Sequence, residues 1–355
     1  MTGIVSRPPQ IAPDTSRRGR SGVRTGSWTV ALLIALALSL VLSVTLGPAQ
    51  ISPAEAWSSI LSHLGIGESA LSPLRDGIVW QMRMPRVIAA AAVGAGLAIC
   101  GAIMQAVLRN PLADPYLLGL SSGASFGAVL VIVLGFSIAL PLAAFGGALG
   151  ALALTLLMAG AIGRMTPSRT ILAGVAVSAA LGALTSLVIF WSATGDTYRE
   201  ILGWLLGSLA GSSWPTAILA LAAIALVGAP LILSAGPLDA FAFGDRAASS
   251  LGVSVERTRW ILLTATALLT GSLVAVSGSI GFIGLVVPHA VRLLVGAQHR
   301  ALLPLSALAG AVMLIWADTL ARTLFDPREL PVGVVTALIG APLFGLLLLR
   351  SRRIS

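Results

Sequence analysis

Ten apolar runs, each close to twenty residues long, occupy most of this chain. They fall at about 28–47, 87–108, 117–136, 138–162, 170–192, 215–233, 260–277, 280–295, 303–324 and 331–349. An α-helix rises 1.5 Å per residue, so about 20 apolar residues cross about 30 Å of hydrocarbon. No water completes a backbone hydrogen bond in that layer, and a helix satisfies its own. One such run can be a buried helix of a soluble domain; ten within 355 residues cannot. The run at 28–47 also invites reading as a signal peptide, but it is longer than a secretory apolar region and lacks a cleavage site. The chain is therefore expected to be an all-α polytopic membrane protein with about ten transmembrane helices.

Composition agrees. Charged residues make up 10%, against about 25% in soluble domains, and mean hydropathy is +0.97. So few charges cannot cover a soluble surface, whereas lipid needs no such cover. The polar, Arg-rich residues 1–27 read as a disordered cytoplasmic tail. Residues 28–350 read as one transmembrane domain, and 351–355 as a short cytoplasmic tail.

Charge sets the expected orientation. The net charge is +9, and all 22 basic residues are Arg. Nucleic-acid binding would call for a basic patch on a soluble fold; here the arginines sit between apolar runs. With the N-terminus inside, 16 of the 22 face the cytoplasm: five in the N-terminal tail, eight in loops and three from Arg350 onward. Arg75, Arg83, Arg86, Arg199, Arg322 and Arg328 fall outside. The opposite topology reverses this bias, so the positive-inside rule puts both termini in the cytoplasm.

Residues with reactive chemistry are sparse. Cys100 is the sole cysteine, and His63, His289 and His299 are scattered. No metal or haem site is expected. There is no GxxxxGK[ST] phosphate loop, so the chain itself is not expected to hydrolyse ATP. Gly94/Ala98 and Gly146/Gly150 have the small-xxx-small spacing that lets helices approach closely in lipid.

Three loops stand out. In RNPLADPYLLGLSSG (109–123), Asn110-Pro111 and Asp114-Pro115 stop one helix and start another, because a residue before Pro avoids the α region. The stretch 234–259 is too long for a simple hairpin. Gly244 separates two short helical pieces there, with Asp245 placed to cap the second and Gly252 to stop it. Such a segment suits docking of a soluble partner; lying on lipid headgroups is the alternative. In SGSIGFIGLVVPHAVR (277–292), Gly278, Gly281 and Gly284 loosen a helix start, and Pro288 bends the helix beyond it. His289 is a candidate ligand or proton carrier, against the plainer reading of a histidine satisfied locally. Asp318 and Arg322, one turn apart, form either a transport-path pair or a local structural one. Gln105 is placed to hydrogen-bond across helices or line a pore.

Three long strings carry a resemblance. RMPRVIAAAAVGAGLAICGAIMQAVLRNPLADPYLLGLSSGAS (83–125), GSIGFIGLVVPHAVRLL (278–294) and ELPVGVVTALIGAPLFGLLLLR (329–350) stand in the order seen in FecCD-type permeases. The chain resembles that family over about 28–350. These permeases belong to ABC importers of iron–siderophore, haem and vitamin B12. The resemblance implies the ten-helix type II importer fold in a bacterial inner membrane. Its expected partners are a second permease copy or a similar paralogue, a cytoplasmic ATPase dimer that uses ATP and Mg, and an extracytoplasmic substrate-binding protein. It places paired coupling helices at about 238–252, so Gly244, Asp245, Arg246, Ala247, Ala248, Ser249, Ser250, Leu251 and Gly252 are the expected ATPase contact. Ala248 is expected in that packed interface. Arg83, Arg86 and Arg322 match arginines that receive acidic residues of the binding protein in similar permeases. Gln105, Asn110, Pro111, Gly281, Gly284 and Pro288 are candidates for the translocation path or its gate. Ferric siderophore is the leading expected cargo, with haem or cobalamin as alternatives. The rival classes are an ion-coupled secondary transporter, for which no acidic run crosses the spans, and an intramembrane enzyme, for which His289 has no evident partner.

Overall fold

The computed structural model describes residues 15–47, 49, 51–136, 140–161, 166–192 and 194–351. In chain order the helices are α1 (Thr15–Thr45), α2 (Pro53–His63), α3 (Pro73–Val107), α4 (Leu120–Val133), α5 (Leu140–Gly160), α6 (Pro167–Ser192) and α7 (Gly195–Leu205). Next come α8 (Trp214–Leu233), α9 (Ala235–Phe241), α10 (Asp245–Ser250), α11 (Val255–Ser277), α12 (Ile283–Val295), α13 (His299–Thr323) and α14 (Val332–Ser351). A 3₁₀ turn, Pro115–Leu118, precedes α4. No strand occurs among the described residues.

Each of the ten expected spans is a helix. Seven are long and apolar enough to cross a bilayer: α1 from Arg24, α3, α5, α6, α8, α11 and α13. The shorter apolar helices α4, α12 and α14 fill the other three places. Two boundaries differ from expectation. Helix α1 starts at Thr15, inside the stretch read as a tail; residues 1–14 and 352–355 lie outside the described residues. Helix α3 starts at Pro73 rather than near 87. Its first turns carry Arg75, Asp76, Arg83 and Arg86, whose side chains find partners, so charges that looked like loop chemistry are accommodated on a helix. Ser52 and Glu55 close a capping box at the start of α2, which satisfies two otherwise orphaned amides.

Helix α3 is the axis of the molecule. It packs most extensively on α13 and also meets α11, α12 and α8, while α4, α5 and α6 form a second group packed on α11. Its Ala/Gly-rich sequence makes this possible. A Cβ at Gly94 would strike the carbonyl of Gly310 in α13, and one at Gly101 would strike Gly284 in α12. Gly146 and Gly150 have open space beside them, so the expected packing role there is not met. Gly147 takes it instead, against Gly123 of α4. One residue of register on the helix separates the packed face from the outer one.

The bundle has two ends. Helix α2 and the loop 324–331 mark one, through Arg86 on Glu329 and Arg83 on the carbonyls of Val44 and Ala49. Helices α9 and α10 mark the other, through Asp239 on His299 and Asp245 on Arg109. We call these the α2 end and the α10 end. The start of α1 and the finish of α14 both lie at the α10 end.

Candidate functional site

Three places concentrate polar groups. The first is a charge cluster at the α2 end. Arg86 grips Asp318 with two donors, Nε to Oδ2 at 2.9 Å and Nη2 to Oδ1 at 3.0 Å, and reaches Glu329 Oε2 with Nη1 at 2.8 Å. Arg83 donates to the carbonyls of Val44, Thr45 and Ala49 at 2.7, 3.1 and 2.7 Å. Arg322 donates to the carbonyl and hydroxyl of Ser43. All three arginines are buried. The partner of Asp318 is thus Arg86, from another helix, and not Arg322 one turn away. The fork of a guanidinium matches a carboxylate bidentately, and Arg86 presents that fork to Asp318.

The second place is a junction inside the bundle, where four elements break. Helix α7 ends and the chain turns at Gly207, whose φ is +72°. Ser208 N–H donates to Ser277 C=O at 2.9 Å, and Gly333 N–H donates to Gly207 C=O at 3.2 Å. The gap between α11 and α12 is held by Tyr116, whose hydroxyl donates to Ile280 C=O at 2.9 Å and accepts from Ile280 N–H at 3.2 Å. Ser121 and Ser279 share a hydroxyl bond of 2.7 Å. Irregular backbone is tolerated at membrane depth only where it is satisfied by protein or lines a cavity; here both hold. A cavity of about 450 Å³ is lined by Asp114, Tyr116, Ser178, Gly281, Phe282 and Leu285, among others. Phe282 has φ +68°, a left-handed conformation costly for a bulky residue and typical of functional joints.

The path candidates divide. Gly281 faces open space in that cavity, whereas Gly284 is packed against α3 and Pro288 is buried in α12. Gln105 is a fastener: Nε2 donates to Gly284 and Leu285 carbonyls at 3.3 Å each, and Oε1 accepts from Arg292 at 3.0 Å. With Asn110 and Pro111 it borders a smaller cavity at the α10 end. His289 is not satisfied locally. Its ring meets Phe344 edge-on at 6.4 Å, and both nitrogens are buried without a hydrogen-bond partner.

The third place is the α9–α10 segment. Gly244 and Gly252, with φ +92° and +84°, bracket α10. Gly244 takes the N-cap position, and Asp245 is not a cap: its carboxylate accepts from Arg259 at 2.9 Å and from Arg109. That ties α10 to α11 and to the end of α3. Ala248 is fully buried against its own chain, so it is not on the outer face. Phe243, Arg246, Ser249, Ser250, Leu251 and Gly252 are exposed, and Ala247 is half-buried. Beside them lies a groove of about 940 Å³ walled by Asp245, Arg246, Glu256, Arg257 and Trp260, with other residues. Two large apolar side chains, Phe243 and Leu251, are exposed on this segment.

Sequence reasoning missed α7 and α2. The Ser-x-x-Glu pattern of residues 52–55 was the available signal for α2. Helix α7, GDTYREILGWL, is too short and too charged to register as a span.

A ten-span helical bundle with broken helices inside it and a solvent-facing helical loop at one end defines a polytopic membrane permease. The chain belongs to the FecCD transport family, which it matches over residues 34–350. It is 43% identical to the vitamin B12 import system permease BtuC of Vibrio cholerae, over 86% of this chain and 88% of that one. It is 44% identical to the hemin transport system permease HmuU of Yersinia pestis, over 77% and 84%. A solved metal-chelate type ABC transporter in an inward-facing conformation superposes with a TM-score of 0.81 at 34% identity, covering 90% of this chain and 98% of that one. The chain is therefore the permease component of an ABC importer of this family, with the type II importer permease fold.

Proposed function

We propose that this chain forms the membrane path of an ATP-driven importer for a metal chelate, with ferric siderophore the first cargo to test. The observation that carries this reading is the junction at Tyr116, Ser121 and Ser279. The cavity beside it is lined by Tyr116, Ser178, Gly281 and apolar side chains, with one carboxylate, Asp114, whose Oδ1 already accepts from Tyr116 N–H. Such a lining suits passage of a large chelate through a gate that opens mechanically. The metal-chelate transporter of similar fold supports the same class.

Two copies, or one copy and a similar paralogue, would enclose the path. The α10 end would be cytoplasmic and would seat a separate ATPase dimer on Phe243, Arg246 and Leu251; ATP and Mg would be bound there and not by this chain. The α2 end would face outward and receive a substrate-binding protein at the Arg83, Arg86 and Arg322 cluster, with Arg86 making the contact and Arg83 and Arg322, bonded to main-chain carbonyls, supporting it. Both termini would then be cytoplasmic, in a bacterial inner membrane. Cobalamin is the second reading, favoured by the identity to the Vibrio cholerae permease.

Uptake of labelled ferric siderophore, haemin and cobalamin in a strain deleted for this permease, with and without the restored gene, tests the proposal. Restoration of ferric siderophore uptake alone is the expected result. Restored cobalamin uptake without siderophore uptake would overturn the cargo assignment, and no restored uptake of any chelate would overturn the class.

A further inference from the structure

Arg86 divides its donors between two carboxylates of unlike character. Nε and Nη2 hold both oxygens of Asp318, whose side chain is 2% exposed. Nη1 holds one oxygen of Glu329, whose side chain is 41% exposed and which sits on the loop 324–331. The first is a buried clamp that fixes the plane of the guanidinium. The second is a single bond at the rim, on a loop whose Leu324 and Phe325 are also exposed.

Charge in this cluster does not balance. Three arginines, Arg83, Arg86 and Arg322, stand with two carboxylates, Asp318 and Glu329. Arg83 and Arg322 donate to carbonyls and a serine hydroxyl, which carry no charge. Arg322 Nε is buried without a hydrogen-bond partner. The cluster is one carboxylate short, and the donor of Arg86 nearest solvent is already covered.

We propose that Glu329 is a displaceable occupant of the outward donor of Arg86, and that an acidic side chain of the binding protein takes its place on docking. The proposal rests on the reading of the α2 end as the docking face. Asp318 keeps the guanidinium aimed while Glu329 swings off with its loop. The incoming carboxylate replaces Glu329 one for one, and the uncompensated positive charge of the cluster is what draws it in. This accounts for an arginine that is buried in the free chain yet able to receive a partner. It also separates roles within the cluster. Arg86 makes the exchange, while Arg83 and Arg322 hold the end of α1 against α3 and α13. Because Glu329 competes with the partner, removing its charge strengthens docking.

The test uses the permease in zwitterionic-lipid nanodiscs and its purified substrate-binding protein. Affinity is measured for the wild type, Glu329→Gln and Glu68→Gln across salt concentrations. Glu68 is exposed on the α2-end segment between α2 and α3, so it reports any general field effect. Glu329→Gln is expected to bind about two- to fivefold tighter, the range set by a half-exposed ion pair, and with a steeper salt dependence. Glu68→Gln is expected to match the wild type. Glu329→Asp keeps the charge but shortens its reach, and should shift affinity the same way by less; it serves if the amide variant misassembles. Unchanged or weaker docking of Glu329→Gln, with the wild type docking normally, overturns the proposal. Equal tightening by Glu68→Gln does so too. Failure of the wild type to dock removes the docking reading itself, a distinct outcome.

Discussion

At the scale of single residues, the α2 end shows how ionic groups persist at the edge of a membrane bundle. A buried charge is costly unless it is paired and its hydrogen bonds are complete. Asp318 meets that condition through Arg86 alone. Asp318→Asn leaves the Arg86 guanidinium buried with its main counter-ion gone, and should cost about 3–5 kcal/mol of stability. Thermal unfolding in detergent measures this, and an unshifted transition would show that the pair contributes little. Arg83 poses a different case, because its partners are three main-chain carbonyls at the exit of α1. A lysine there keeps the charge but not the rigid fork that spans Val44 and Ala49. Arg83→Lys should therefore lower stability by about 1.5–3 kcal/mol. The expected readout is a reduced unfolding midpoint, with binding-protein affinity per folded molecule retained. Loss of affinity at unchanged stability would instead place Arg83 in the docking contact.

At the scale of elements, α10 shows where a sequence pattern reaches and where it stops. Gly244 and Gly252 mark its limits because each takes a left-handed conformation that other residues resist, and that signal is local. Which face of α10 looks outward is not local. It is set by the pull of Arg109 and Arg259 on Asp245, made by residues 136 and 14 positions away in the chain. Ala248 consequently points inward. The same holds for α3, whose charged first turns looked like a loop until α13 and the loop 324–331 supplied their partners. It holds again for Gly147, which packs where the spacing favoured Gly146 and Gly150. Long apolar runs, Gly breaks and caps are legible because lipid and backbone geometry act residue by residue; facing and partnering are properties of the assembled bundle. A prediction separates the two faces of α10. Leu251→Ser and Phe243→Ser should leave folding intact and sharply reduce co-purification of the ATPase. Ala248→Asp should instead lower the yield of folded permease, because an unpaired carboxylate enters the core. Normal ATPase recovery in the double serine variant would place the contact elsewhere.

At the scale of the whole molecule, the arrangement bears on the energy source. A carrier driven by an ion gradient places titratable groups near the middle of the membrane, where protonation or ion binding is coupled to movement. The charged pair of α3 and α13 lies at the α2 end, away from the junction. The acid nearest the junction is Asp114, and its Oδ1 accepts from the N–H of Tyr116 at 2.8 Å, closing the start of the 3₁₀ turn. That role needs a side-chain oxygen and no titration, and asparagine supplies the same oxygen at the same reach. In an ATP-driven permease Asp114→Asn should therefore retain most of the transport rate. In an ion-coupled carrier using this carboxylate, the same change should abolish coupled uptake. Proteoliposomes holding the permease with its ATPase, ATP on the α10 side and loaded binding protein on the α2 side, provide the assay. The expected outcome is uptake that needs ATP, resists a protonophore and survives Asp114→Asn. Uptake that collapses with the proton gradient and vanishes in the asparagine variant would assign the energy source to the gradient and the coupling to Asp114.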